Sequence, residues 1–297
     1  MEQVKRKKKV DPVQVCIYVA VGLFALFCLI PFVIVISASF SDSRRLLLEG
    51  ASIFPRGFSL VAYRYVFHFF DQVARAYGVS IFVTVIGTVL NMACMLPFAY
   101  AISKPTFRYR RILTFYLFFT VMFGGGLVPT YILIKRYLNM YDTIWVLIIP
   151  LLVQPGNVVL LRVFFQSVPS SLYESATIDG ASEYNQLFTI GMPLIVPGIA
   201  TITFFTILMF WNDSYTAIIY IENSELRPIQ IFLTQMSQYI DFIKKQGGGG
   251  GMLGATEVPS ESILYAMCVV AAGPMIFLFS CFQKYFVQGL TAGGVKE

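Results

Sequence analysis

Apolar positions in this chain gather into six runs, roughly 13–37, 79–101, 112–134, 143–163, 194–218 and 262–283. Each is long enough to cross a bilayer, since a spanning helix needs about 20 apolar residues at about 1.5 Å of rise per residue. The charged residues inside these runs are Arg162, at the end of the fourth, and Asp213, near the end of the fifth. Hydrocarbon offers backbone groups no partner. Helices pair those groups within one segment, and the two-residue alternation of a membrane barrel is absent here. The pattern predicts an all-α polytopic membrane protein with six transmembrane helices. The first run follows basic residues, as a secretory signal does, but it exceeds the about 7–15 apolar residues of a signal core. It is therefore expected to stay as a span.

Composition strengthens this reading. Of 297 residues, 57% are hydrophobic and 13% charged, and mean hydropathy is +0.71. Soluble chains carry about 25% charged residues. An ordinary soluble globule, a disordered chain and a disulfide-knit secreted domain are thereby excluded. Net charge is +6, but the basic residues cluster at Lys5–Lys9 and at Lys104, Arg108, Arg110 and Arg111, each cluster beside an apolar run. Such charges set topology and leave no basic stripe for nucleic acid. With both termini inside, the inner segments hold 12 Lys and Arg and the outer segments 10. Density favours this orientation, because four of the ten residues in 102–111 are basic, although Lys135 and Arg136 then lie on the outer side.

The loops carry little catalytic chemistry. Residues 38–78 form an outer loop in which 59–77 is expected to be a surface or interfacial helix. His68 is the only histidine, and one imidazole makes no metal site. The five cysteines, Cys16, Cys28, Cys94, Cys268 and Cys281, all lie in apolar runs without a CxxC pair and read as small buried hydrophobes. Gly247–Gly251, inside the loop 222–261, is expected to be a flexible tip, since five glycines lose too much entropy in a helix. No cofactor and no metal is expected.

Residues 164–193 differ from the rest: FFQSVPSSLYESATIDGASEYNQLFTIGMP is too polar to span. Ser171 followed by Glu174 has capping-box spacing and predicts a short helix over 171–179. Gly180 suits the left-handed turn that ends it. A second short helix over 181–190 leads to Pro193. Two short helices joined at a glycine would form a rigid cytoplasmic knob.

The spacing Glu174-Ser175-Ala176, Gly180, Ile190, Gly191-Met192-Pro193, centred on Asp179-Gly180-Ala181, resembles the EAA signature of binding-protein-dependent ABC importer permeases. Ser175 stands where that signature usually has Ala, and Met192 where it has Leu. Ser80-Ile81-Phe82, Gly124 to Tyr131 and Trp211-Asn212-Asp213 are similar to the carbohydrate branch, and within it to the MalG-like subfamily that includes LplC and YtcP, associated with oligosaccharides. The resemblance covers nearly the whole chain. It implies a type I permease architecture (MetI/MalG-like). It also implies a second homologous permease, two copies of a cytoplasmic ATPase, an extracellular solute-binding lipoprotein and a carbohydrate substrate. The coupling elements would be Glu174, Ser175, Ala176, Asp179, Gly180, Ala181, Ile190 and Pro193.

That organisation reads as a basic cytoplasmic tail at 1–12, then a first span and outer loop at 13–78. A five-helix core at 79–283 follows, containing the coupling loop 164–193 and the outer loop 219–261, and a tail at 284–297 ends the chain. The chain is not expected to be an enzyme, since it holds no catalytic set and nothing resembles a P-loop, and the lack of a charged relay in the spans argues against a proton- or sodium-driven carrier. Energy would come from the ATPase partner, in a bacterial cell membrane. Helix breaks at Pro150, Pro155 and Gly156 suggest a translocation path near Gln154 and Asn157, with Trp211, Asn212, Asp213 and Tyr215 on the fifth span. These residues equally suit bridging helices or anchoring at the membrane interface. The competing reading is a secondary transporter or channel for a small polar solute, which would need no ATPase.

Overall fold

The structure, a computed structural model, describes residues 12–235, 238 and 260–292. The glycine tip at 247–251 lies outside the described residues. The chain divides into two compact units, Met1–Phe69 with Met236–Val270, and Phe70–Gln235 with Ala271–Glu297.

In the first unit, Pro12–Ser39 is one apolar helix whose most apolar window has no buried residue. Lipid is a sufficient solvent for such a surface. At its end the polar groups turn inward: Ser41 Oγ donates to the Ser37 carbonyl at 2.8 Å, and the hydroxyls of Ser39 and Tyr63 pair at 2.9 Å. Asp42 caps the helix Ser43–Glu49 by accepting from the N–H groups of Arg44 and Arg45. The expected helix over 59–77 is two elements. Val61–His68 ends at Phe69, and Phe70 opens the next helix, so residues 70–78 belong to the second span and not to a loop. No glycine or proline marks that break in the sequence.

The second unit is organised by the helix Phe70–Ser103. Its 34 residues extend about 50 Å, beyond the roughly 30 Å of hydrocarbon. At one end Arg75 pairs with Glu225 at 2.7 Å, and the Ser80 hydroxyl accepts the Ile229 N–H at 2.8 Å. The other end meets the 164–193 segment. Two apolar clusters fill this unit, one around Met95, Leu161, Phe165 and Ile202, the other around Val83, Leu147, Phe210 and Ile231. Backbones come close through glycine: a Cβ on Gly198 would sit 2.5 Å from the Phe164 ring, and one on Gly87 would sit 2.7 Å from Phe210.

The remaining crossings are bent. Arg110–Met122 and Leu127–Tyr137 meet at 111°, Ile144–Leu151 and Pro155–Gln166 at 48°, and Glu183–Leu194 and Val196–Asn212 at 85°. Three helices among the described residues are long and apolar enough to cross singly, and counting each bent pair as one span brings the number to six, the first half of the last pair, Glu183–Leu194, being the end of the polar loop before the fifth crossing. The third crossing is therefore not the continuous 112–134 helix expected. Arg110–Met122 spans only about 20 Å. The chain then turns at Gly124–Gly126, where Gly126 has φ +79°. The fifth helix stops at Asn212 rather than 218, because Asp213 is extended and its carboxylate accepts the Thr216 N–H of the next short helix.

The break in the fourth crossing falls where proline predicted it. Pro155 has no N–H to give the Leu151 carbonyl four residues earlier. Asn91, fully buried on the Phe70–Ser103 helix, donates its Nδ2–H to that carbonyl at 3.2 Å, and its own Oδ1 accepts from Thr206 at 3.4 Å. Asn91→Leu should lower stability in detergent by about 1 kcal/mol, the scale of hydrogen bonds between membrane helices. A thermal midpoint equal to wild type would remove this role.

The cysteines correct the expectation of burial. Cys16, Cys28, Cys94 and Cys281 are exposed and Cys268 is half-buried. A thiol on a lipid-facing surface is already in apolar surroundings, so an apolar run does not imply the core.

Candidate functional site

The 164–193 segment begins with the helix Ser170–Ile178. The capping box does not form. The helix starts one residue earlier than expected, Pro169 occupies the cap position, and no side chain caps it. Ser171 thus lies inside the first turn, where its oxygen is past the donors it would have to meet. The C-terminal end follows the expectation. Gly180 has φ +79°, the Gly180 N–H donates to the Thr177 carbonyl at 3.1 Å, and the Ala181 N–H donates to the Ala176 carbonyl at 2.9 Å. These paired bonds are the Schellman closure, which requires a left-handed residue at position 180.

Ser182 then caps the next turn, its Oγ accepting the Asn185 N–H at 3.3 Å. The expected α-helix over 181–190 is instead Glu183–Asn185 followed by a π-helical stretch, Gln186–Gly191. Gly191 fits there because a Cβ would lie 3.1 Å from both the Phe165 ring and the Tyr173 hydroxyl.

Gln186, 2% exposed, ties the segment together. Its amide donates to Thr177 Oγ1 at 3.0 Å and to the Ala181 carbonyl at 3.2 Å, bracing the turn at Gly180 from beneath. Its Oε1 accepts from Lys104 Nζ at 2.9 Å. Tyr100 donates to Glu183 Oε2 at 2.9 Å, and Lys104 lies 3.8 Å from that carboxylate. The Lys104 ammonium also sits 3.6 Å above the Tyr173 ring centre and 4.8 Å from that of Tyr100. Burial holds the Lys104 ammonium below the usual lysine range, with Glu183 pulling partly back. Burial, with the Glu183 charge second, raises the Tyr173 phenol. Both ends of the loop are thus fastened to the end of the second span, and a cavity of about 490 Å³ opens beside the fastening, lined by Pro97, Tyr100, Lys104, Phe107 and Tyr184.

The other face is outward. Glu174, Ser175, Asp179, Gly180 and Pro193 are exposed, Ala181 and Ile190 are half-buried, and Ala176 packs inward. Ile178 is 86% exposed and Tyr184 76%. Large apolar groups at the tip of a polar knob mark a contact surface. The sequence reading missed the clamp of Tyr100, Lys104, Tyr173, Glu183 and Gln186. Lys104 read as a topology charge, and nothing in the pattern singled out Gln186.

Tyr173 allows a direct test. Its hydroxyl is buried without a hydrogen-bond partner among the described residues, while its ring carries the ammonium contact. Tyr173→Phe should keep uptake and raise stability by about 1 kcal/mol, because an unsatisfied buried hydroxyl is costly. A lowered melting midpoint would contradict this.

The path candidates are dispersed. Trp211 is buried, and its indole N–H donates to the Ala271 carbonyl at 3.2 Å. Asn212 donates to the Leu208 carbonyl at 2.8 Å and accepts from Gln230 at 3.3 Å. Gln154 caps the helix Pro155–Gln166 with its backbone, Asn157 is half-buried on that helix, and Tyr215 is 63% exposed.

Helices long and apolar enough for up to six crossings, with a braced polar loop before the fifth, define a polytopic membrane protein. No protein-family model matches the chain. It is 39% identical over 280 residues to the polygalacturonan/rhamnogalacturonan transport system permease protein YtcP of Bacillus subtilis, covering 94% of this chain and 96% of that protein. It is 36% identical to protein LplC of the same organism, over 95% of this chain and 94% of that protein. Among solved structures it matches a bacterial ABC transporter involved in the import of the acidic polysaccharide alginate, with TM-score 0.77, 28% identity, and coverage of 96% of this chain and 100% of that one. The chain belongs to the permease subunits of carbohydrate ABC importers.

Proposed function

We propose that this permease forms half of a translocation path for an oligosaccharide or related carbohydrate. It pairs with a second homologous permease, and two copies of a cytoplasmic ATPase supply the energy. An extracellular solute-binding lipoprotein delivers the sugar. Alternating access then carries it from that binding protein to the cytoplasm of a bacterial cell, with both termini of this chain cytoplasmic.

The observation that carries this reading is the braced knob. A loop that transmits force must not bend internally, and the Gln186 clamp removes the freedom a polar loop would otherwise have. In this reading the exposed Glu174, Ser175, Asp179, Gly180 and Pro193 meet the ATPase groove, and Ala176, Ala181 and Ile190 set the knob's shape. Sugar passes by amide and aromatic groups on the fourth and fifth crossings, with Gln154, Asn157, Asn212 and Tyr215 offering them, while Trp211 and Asp213 hold the adjoining backbone in place. The experiment is to purify the tagged chain from its host membrane and to measure uptake in vesicles. Recovery with an ATPase, a second permease and a sugar-binding protein, and uptake only with ATP, is expected. Uptake by the chain alone would instead indicate a secondary transporter or channel.

A further inference from the structure

A second cleft, of about 880 Å³, opens where the loop after the second span meets the third and fourth crossings. Arg108, Arg110, Arg111 and Arg162 line it together with Phe115 and Phe118, and no acidic residue does. Arginines beside a membrane set topology by themselves. That accounts for Arg108 and Arg111, which are exposed. It does not account for Arg162, which comes from the fourth crossing and brings its charge to the same cleft as Arg110.

Arg162 reaches Thr114 Oγ1 with one terminal nitrogen at 3.4 Å, while its Nε–H is buried with no acceptor among the described residues. Four guanidiniums gathered in one cleft with no carboxylate among its lining residues repel one another, and an anionic oxygen bonded by their terminal nitrogens offsets that best. Arg110 and Arg111 also occupy the first turn of Arg110–Met122, whose first turn holds no acidic residue. Cations at the positive end of a helix are unfavourable unless an anion lies between them.

The layout also has a direction. Arg111, Phe115 and Phe118 stand at i, i+4 and i+7 on one helix face, so the charged end of the cleft continues into exposed rings along the span. Phe115 is 70% exposed and Phe118 49%. Charge at the helix end and apolar surface along its length match a phosphodiester followed by an acyl chain. We propose that this cleft binds the phosphate of an anionic phospholipid headgroup, with the acyl chain lying against Phe115 and Phe118. Guanidiniums suit such a group because they bond two phosphate oxygens at once. The proposal does not rest on the transport reading.

The test is native mass spectrometry of the detergent-purified full-length permease, in its complex, offered phosphatidylglycerol, phosphatidylcholine or inorganic phosphate. Wild type should retain one phosphatidylglycerol in preference to phosphatidylcholine, and excess inorganic phosphate should not displace it. Retention should fall about thirtyfold in the Arg110→Gln/Arg162→Gln double variant and about fivefold in Arg111→Gln, an exposed position that leaves folding intact. Equal retention of the two lipids, or wild-type retention in Arg111→Gln, overturns the proposal. Displacement by inorganic phosphate as effective as by phosphatidylglycerol assigns the cleft to a free anion and overturns the lipid headgroup.

Discussion

Gly180→Asp should leave the chain in the membrane at normal abundance and reduce carbohydrate uptake at least about tenfold, or about 1.4 kcal/mol, because bulk and a new charge enter the contact surface. Gly180 has φ +79°, which strains most side chains in the Schellman turn but Asn and Asp least, and a Cβ there would meet no atom of the described residues within 4 Å. Loss in the Asp variant therefore points to a partner that approaches this face. Gly180→Asn tolerates the left-handed conformation and adds bulk without charge. If only the new charge matters, Asn retains most uptake. If a partner closes on the glycine, Asn fails nearly as completely as Asp, and ATPase co-purification falls with it. Normal uptake together with normal ATPase recovery in the Asp variant would remove the coupling role from this loop.

Gln186→Leu should be nearly as damaging, through a different physical route. The substitution keeps the volume but leaves Thr177 Oγ1 and the Ala181 carbonyl without their donor and Lys104 without its nearest acceptor. Losses of about 1–3 kcal/mol are expected from orphaned polar groups in such a site. The knob should then open locally, and amide exchange across 175–191 should speed up about tenfold or more. Gln186→Glu supplies the control. A carboxylate still accepts from Lys104 but donates to neither loop acceptor. It should fasten the loop to the second span and fail to brace the turn at Gly180. If exchange in Gln186→Leu matches wild type, the clamp does not stiffen the loop.

The outward half of this site was legible in the sequence because it follows local rules. Gly180 is readable as a left-handed helix end from its place after Asp179, and the observed φ agrees. The failure of the capping box is equally local in origin. Ser171 and Glu174 have the spacing, but Pro169 is already competent to begin the helix one residue earlier, and the pattern cannot choose between two adjacent starts. The inward half was not legible. Lys104 and Gln186 lie 82 positions apart and make one hydrogen bond, and Asn91 meets the Leu151 carbonyl across 60. No periodicity records such a pairing.

The sequence by itself determined that this chain lives in a membrane, how many times it can cross, and where a polar loop interrupts the crossings. Those properties depend on the transfer of short segments between water and hydrocarbon, which each segment settles alone. Tertiary structure decided which crossings bend, which helix faces touch, and how the loop is held. It had to, because the closest donor to the carbonyl freed at Pro155 and the nearest acceptor for the ammonium at Lys104 are groups that folding brings from elsewhere in the chain.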